Sequence, residues 1–338
     1  MKHLKTLITS ASLMTALVLC PQASADVGYT EMTLTPAHRN ESMPVSIWYP
    51  ADDGGTAVLV GQNPVFIGDP AQRDARVTLG AHPLVLLSHG AAGIPYNLSW
   101  LSNALVEAGY VVAAPKHPGS SFANYAFPAV LDLRARRADL IRLLDVLLDG
   151  VGTIRIDATD ITVAGFSLGG HSALASVGAE ARLDAYRDYC RDLSQLDCGW
   201  WAQNEFDLGD VSEQAFNVRE ADPRITRVIA IDPGMTQAYS SESLASITQP
   251  VLLMNLADAD AVPKAVDATV VAEHIPNASW VAIPDAQHFS FLGLCIDNAA
   301  ALLAEEGEVE PICSELGDTP RAALHEQMIE AILAFLRR

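Results

Sequence analysis

The segment DITVAGFSLGGHSALAS, Asp160 to Ser176, sets Ser167 between an apolar, β-branched run and a stretch of helix formers, with Gly165 and Gly169 on either side. A serine on so sharp a strand-to-helix turn presents its hydroxyl as a nucleophile. The glycines are required because a Cβ at either place would collide with the turn. The five-residue spacing is weak by itself. A serine hydroxyl also needs a base to take its proton, and that base needs a carboxylate to fix its tautomer. His288, in IPDAQHFSF, follows a late strand and meets the chain order of serine, acid, histidine. His89 and His117 precede the serine and read as structural residues that hold loops by hydrogen bonds, and His325 lies in a terminal helix.

The residues leave the acid open. Asp232 ends the strand RVIAID that follows the nucleophile helix, while Asp258 and Asp260 follow the next strand in NLADADAVP, the commoner place for the acid. An oxyanion hole needs two backbone N–H groups, one from the residue after the nucleophile and one from the loop after an earlier strand. Leu168 supplies the first. In SHGAAG the small residues let backbone approach a ligand, which makes Ala91 the second donor.

These side chains need a scaffold that brings distant loops together. YTEMTLTP and MPVSIWYPA read as two strands, residues Asp52 to Ala81 as an irregular excursion rich in Gly, Asp and Pro, and Leu84 to Leu87 as a strand buried on both faces. Helix Ser99–Ala108, strand Tyr110–Ala114, helix Leu131–Leu148, strand Ile161–Ala164 and helix Leu168–Val177 then alternate, a rhythm of right-handed β-α-β units. Between Ala179 and Arg224 the rhythm breaks into a polar stretch with two cysteines and the pair Trp200-Trp201, which either pack the segment or touch substrate. Strands Arg227–Asp232, Pro250–Leu256 and Ser279–Pro284 and a helix Arg321–Leu336 complete the pattern. The fold class expected is α/β, a mostly parallel central sheet flanked by helices. It forms one domain over residues 26–338, with 180–224 as an inserted, cap-like segment after the nucleophile helix.

The first residues, with Lys2, Lys5, an apolar run from Leu7 to Cys20 and then Ala23-Ser24-Ala25, read as a secretory signal cut after Ala25. A lipid anchor on Cys20 fits less well, because Leu19 is large for the position before such a cysteine. Cleavage removes two lysines and no acids, so the formal charge of −20 becomes −22, which argues against a nucleic-acid partner. No later run is apolar and long enough for an integral membrane segment. The expected location is periplasmic or secreted, where disulfides persist. Cys190 with Cys198 and Cys295 with Cys313 is the economical pairing of the three that four cysteines allow.

PLVLLSHGAAG, GYVVAAPKHPG, RRADLIRLLDVLL, GFSLGGHSA, AIDPG and AQHFSFL, in that order, resemble the predicted dienelactone-hydrolase-like esterases related to platelet-activating-factor acetylhydrolases. The resemblance runs from about Val45 to the C-terminus, outside most of Ala179 to Arg224, and implies the α/β-hydrolase fold. It also implies a Ser167–His288–Asp232 triad, since in the acetylhydrolases the acid sits on the strand after the nucleophile helix, with Ala91 and Leu168 as oxyanion donors. It departs in two ways: the true dienelactone hydrolases use cysteine where Ser167 stands, and the cysteine-bearing insertion has no counterpart. The expected activity is hydrolysis of a small-molecule or lipid carboxylic ester through an acyl-enzyme, with no cofactor and no metal. Acyl transfer to another alcohol uses the same residues, and an inactive hydrolase fold used for binding is the alternative of another class.

Overall fold

The computed structural model of the protein describes residues 26–338, so the secretory segment expected at 1–25 lies outside the described residues. In chain order the strands are β1 (Asp26–Leu34), β2 (Met43–Ala51), β3 (Thr56–Val60), β4 (Asp69–Arg73), β5 (His82–Ser88), β6 (Val111–Pro115), the short pair β7 (Ser120–Ser121) and β8 (Asn124–Tyr125), β9 (Ile156–Phe166), β10 (Arg227–Ile231), β11 (Val251–Asn255) and β12 (Ala278–Ala282). Ten of them form one sheet, β12-β11-β10-β9-β5-β6-β2-β1-β4-β3. From β12 to β6 every pairing is parallel, and β2 then joins β6 antiparallel.

The apolar runs become central strands because both their faces are covered. Along β5, Leu84 and Leu86 point into one core, Val85 and Leu87 into the other, and all four are fully buried. Burying a side chain of this kind contributes about 1.5–3 kcal/mol. The first core is closed by α2 (Leu133–Asp149) and α3 (Leu168–Ser176), through Leu140, Leu144 and Leu174. The second is closed by α1 (Ser99–Glu107) and the terminal helix Arg321–Leu336, through Leu101, Leu105, Leu324 and Met328.

Two stretches differ from expectation. Within Asp52 to Ala81, expected to be irregular, β3 and β4 form an antiparallel hairpin from Thr56↔Arg73 to Val60↔Asp69 at the sheet's edge. The Gly, Asp and Pro residues there punctuate short strands, and Gly55, Gly61 and Gly68 all take positive φ at the bends. The polar segment after α3 is helical, with α4 (Leu183–Tyr189), α5 (Leu196–Gln203) and α6 (Glu213–Phe216). It carries its own apolar centre: Tyr186, Trp201 and Phe216 pack with Val130, Leu131, Leu168 and Met235. The disulfide Cys190–Cys198 ties α4 to α5, and Trp201 donates to the Tyr186 hydroxyl at 2.8 Å, so Trp201 packs the segment. A second disulfide joins Cys295 to Cys313, and the two bonds fit an oxidising compartment. No helix among the described residues is long and apolar enough to cross a membrane.

Candidate active site

β9 ends at Phe166 and α3 starts at Leu168, which leaves Ser167 alone on the corner at φ 57°, ψ −122°. That conformation costs on the order of 1–3 kcal/mol and persists only because the surroundings impose it. The surroundings are backbone. A Cβ on Gly165 would run into the Gly169 carbonyl, and one on Gly169 into the Ser88 carbonyl at the end of β5. Gly170, not singled out from the sequence, is needed too, since its Cβ would lie 2.9 Å from Pro233 Cα. The Ser167 N–H is held by the Ile231 carbonyl at 2.9 Å, which couples the corner to the end of β10.

One residue beyond that strand end, Asp232 turns at φ 40°. One of its oxygens, Oδ2, lies 2.9 Å from His288 Nδ1, and His288 Nε2 lies 3.1 Å from Ser167 Oγ. An ionised carboxylate only accepts, so Nδ1 carries the imidazole proton and Nε2 is free to accept from the serine hydroxyl. Asp232 is almost wholly buried while Ser167 is half-buried, so the polar chain runs from the interior to a solvent-reachable hydroxyl. His288 is also packed against Phe166, ring centroids 4.6 Å apart.

Asp258 and Asp260 are exposed and neither is bonded to His288; the Asp258 carboxylate accepts a 3.4 Å bond from the Asp285 N–H. The residue that sequence reasoning missed is Asn255. Its Nδ2 and the Leu256 N–H each donate at 2.9 Å to Asp232 Oδ1, the oxygen that His288 does not use. A polar side chain closing the otherwise apolar run VLLMN was the available signal. The histidine loop is braced from the other side. Gln287 Nε2 donates to the carbonyl of Pro311, at 3.1 Å and inside the loop closed by Cys295–Cys313, and to that of Ser314 just beyond it, while Arg321 holds Glu315 at 2.6 Å and the Ile312 carbonyl at 2.7 Å.

The N–H groups of Ala91 and Leu168 donate to no protein acceptor among the described residues. The Ala91 loop lies against Ser167, since a Cβ on Gly90 would come within 3.1 Å of Ser167 Cβ. His89 and His117, expected to be structural, are fully buried. His89 Nδ1 donates to the Gly90 carbonyl at 2.7 Å and its Nε2 accepts the His117 N–H at 3.2 Å. Burial pushes His117 down to about 3, so both rings of this pair stay neutral. His325 stacks on Trp100 at 3.7 Å and bonds the Ser290 carbonyl at 2.9 Å, outside the triad cluster.

The backbone is similar to that of a ferulic acid esterase from Streptomyces cinnamoneus, with a TM-score of 0.63 and 22% identity over 94% of this chain and 91% of that one. The chain has the α/β-hydrolase fold. In this fold the parallel strands β9, β10 and β5 bring Ser167, Asp232 and the Ala91 loop to one end of the sheet. A protein from Klebsiella pneumoniae described as a dienelactone hydrolase also matches, at TM-score 0.49 and 14% identity, over 92% of this chain and 99% of that one. No protein-family model and no curated protein matches the sequence.

Proposed function

We propose that the protein is a serine hydrolase of carboxylic esters, exported to an oxidising compartment after cleavage at Ala25. One observation carries the reading: a single hydrogen-bonded line from a strained, half-buried Ser167 through His288 to a buried Asp232. Ser167 Oγ attacks the ester carbonyl as His288 Nε2 takes its proton, and the new oxyanion is met by the N–H groups of Ala91 and Leu168. The tetrahedral centre collapses, the C–O bond to the alcohol breaks, and His288 returns the proton to the departing oxygen. Water, deprotonated by His288, then attacks the acyl-serine and frees the acid. Asp232 keeps Nδ1 protonated throughout and stabilises the imidazolium.

Residues 180–224 act as a cap over this centre. The segment's apolar core includes Leu168 and Met235 and is flanked by Ala91, Phe127, Trp200 and Phe206. Phe127 stacks on Phe206 at 4.6 Å and Tyr125 lies 6.3 Å from Trp200, so half-exposed rings stand beside the oxyanion loop and would receive a flat or apolar part of the substrate. The resemblance to dienelactone-hydrolase-like and acetylhydrolase-like esterases points to the same chemistry.

The test is hydrolysis of nitrophenyl esters from acetyl to long acyl chains, with methyl ferulate added because the fold neighbour is named for ferulic acid. The wild-type protein is expected to turn over at least one class. Ser167→Ala should keep its fold and lose about 10⁶ in kcat, leaving only binding and oxyanion effects. Ester hydrolysis at wild-type rate by Ser167→Ala would end the reading.

A further inference from the structure

The two N–H donors sit on different segments, the Ala91 loop after β5 and the start of α3, and an oxyanion hole works only if their separation is fixed. One side chain touches both segments. Arg136, on α2, is fully buried, although it occupies the helix face that carries Leu133, Leu140 and Leu147 into the core. Its Nη2 donates to the His89 carbonyl, two residues before Ala91, and to Ser88 Oγ at 3.3 Å. Its Nε donates to Ser172 Oγ at 3.2 Å, and that hydroxyl donates at 3.0 Å to the carbonyl of Leu168 itself. Its Nη1 donates at 2.6 Å to Ser120 Oγ, while the Ser120 carbonyl accepts the Ala92 N–H at 3.1 Å.

A buried guanidinium needs countercharge. The acid whose charge favours it is Asp139, one turn along α2, wholly buried and held ionised by Arg39 at 2.5 Å, His38 at 2.8 Å and His117 at 2.8 Å. Burial pulls the guanidinium down to about 9 against the opposing pull of Asp139, which leaves it charged at neutral pH. The charge matters for rigidity. Hydrogen bonds from an ionised donor to carbonyl and hydroxyl oxygens are shorter and about twice as strong as neutral ones.

We propose that Arg136 is a positioning residue for the oxyanion hole: its guanidinium fixes the His89–Ala91 loop against the first turn of α3 and so sets the separation of the Ala91 and Leu168 N–H groups. The proposal rests on the ester-hydrolase reading and on those two donors. It goes beyond that reading because Arg136 touches no reacting atom.

The experiment measures kcat and KM per active site, with sites counted by stoichiometric labelling with a fluorophosphonate, on purified mature wild type, Arg136→Lys, Ser172→Ala and Ser120→Ala. An arylboronic acid, whose tetrahedral adduct places an oxygen in the hole, is the second probe. For Arg136→Lys the account expects kcat per labelled site to fall about 10²-fold, the loss seen on removing one oxyanion donor, with KM within about twofold. Boronate affinity should fall in parallel. Each serine variant keeps the buried charge and cuts one tie, so each should lose several-fold in kcat and still fold. If every variant that folds has wild-type kcat per labelled site, and only the melting temperature falls, Arg136 serves the fold alone and the proposal is overturned. A wild-type protein that neither labels nor hydrolyses any ester instead refutes the ester-hydrolase reading on which it rests, and overturns the proposal with it.

Discussion

Two Ser–His–Asp relays lie among the described residues, and the proposed function assigns the reaction to one of them. Ser167–His288–Asp232 has spacings of 3.1 and 2.9 Å; Ser88–His117–Asp139 has 2.9 and 2.8 Å. Distances do not distinguish them. Ser167 is half-buried on a strained corner at φ 57°, whereas Ser88 is a fully buried residue at the end of a regular strand. Ser167 faces a histidine whose side chain is 18% exposed, while His117 is sealed and neutral, with Arg136 bonded to its serine partner. Asp232 carries His288 and neutral amide donors; Asp139 carries His117, His38 and Arg39. A triad is therefore defined by access, backbone strain and the neighbouring oxyanion donors as much as by the relay itself.

Substitution in parallel sharpens the contrast, and after the loss of Ser167 itself the largest effect falls on the acid of the open relay. Asp232→Asn lets the wrong imidazole tautomer form, so kcat should fall about 10⁴-fold with the fold intact. Asp258→Asn and Asp260→Asn should stay near wild type, because both carboxylates lie on the surface and act only through screened charge. An Asp260→Asn enzyme slower than Asp232→Asn would reverse the assignment. In the sealed relay the same change acts on stability. Asp139→Asn leaves Arg39 and Arg136 buried without their acid, and urea unfolding should show a loss of about 3–5 kcal/mol. Ser88→Ala removes one partner of a buried imidazole and should cost about 1–3 kcal/mol. Loss of kcat in Ser88→Ala comparable to that in Ser167→Ala would make the two relays equivalent and break the comparison.

The most gradual effect is on pH dependence. Burial, with Arg136 nearby, holds His117 at about 3, below its unfolded value, against the opposing pull of Asp139. A depressed value means that the neutral ring's contribution is complete above about pH 6.5 and is lost as pH falls toward the folded value, by at most about 1.4 kcal/mol per pH unit. The urea midpoint should therefore decline from pH 6.5 to 4, and less steeply in His117→Gln. An equal decline in that variant would assign it to other groups, such as the buried His89 and His171.

Legibility in the sequence followed locality. The corner at Ser167 is written in consecutive residues, so its glycines and its strand-to-helix context could be read directly. The alternation of strands and helices, from Leu84 onward, was equally plain because each central strand is an unbroken apolar run. The acid was not, because Asp232 and Asp260 differ only in which loop faces His288; the carboxylate bonded to His288 is that of Asp232, whose other oxygen takes the Asn255 and Leu256 N–H groups. The sealed relay joins β5, the loop after β6 and α2, and no local pattern links Ser88, His117 and Asp139. Its one sequence trace is the pair Arg136 and Asp139 on the apolar face of α2. The strands β3 and β4 were hidden by turn residues that mark their ends. The helices of residues 180–224 were hidden by a polar composition whose few aromatics do the packing.

The central claim is that Ser167, and not the equally well-connected Ser88, is the nucleophile. Fluorophosphonate treatment of the mature protein, followed by peptide mass mapping, addresses it directly. The account predicts one adduct per chain, on Ser167, absent from Ser167→Ala and undiminished in amount in Ser88→Ala. An adduct on Ser88, or undiminished labelling of Ser167→Ala, would contradict it.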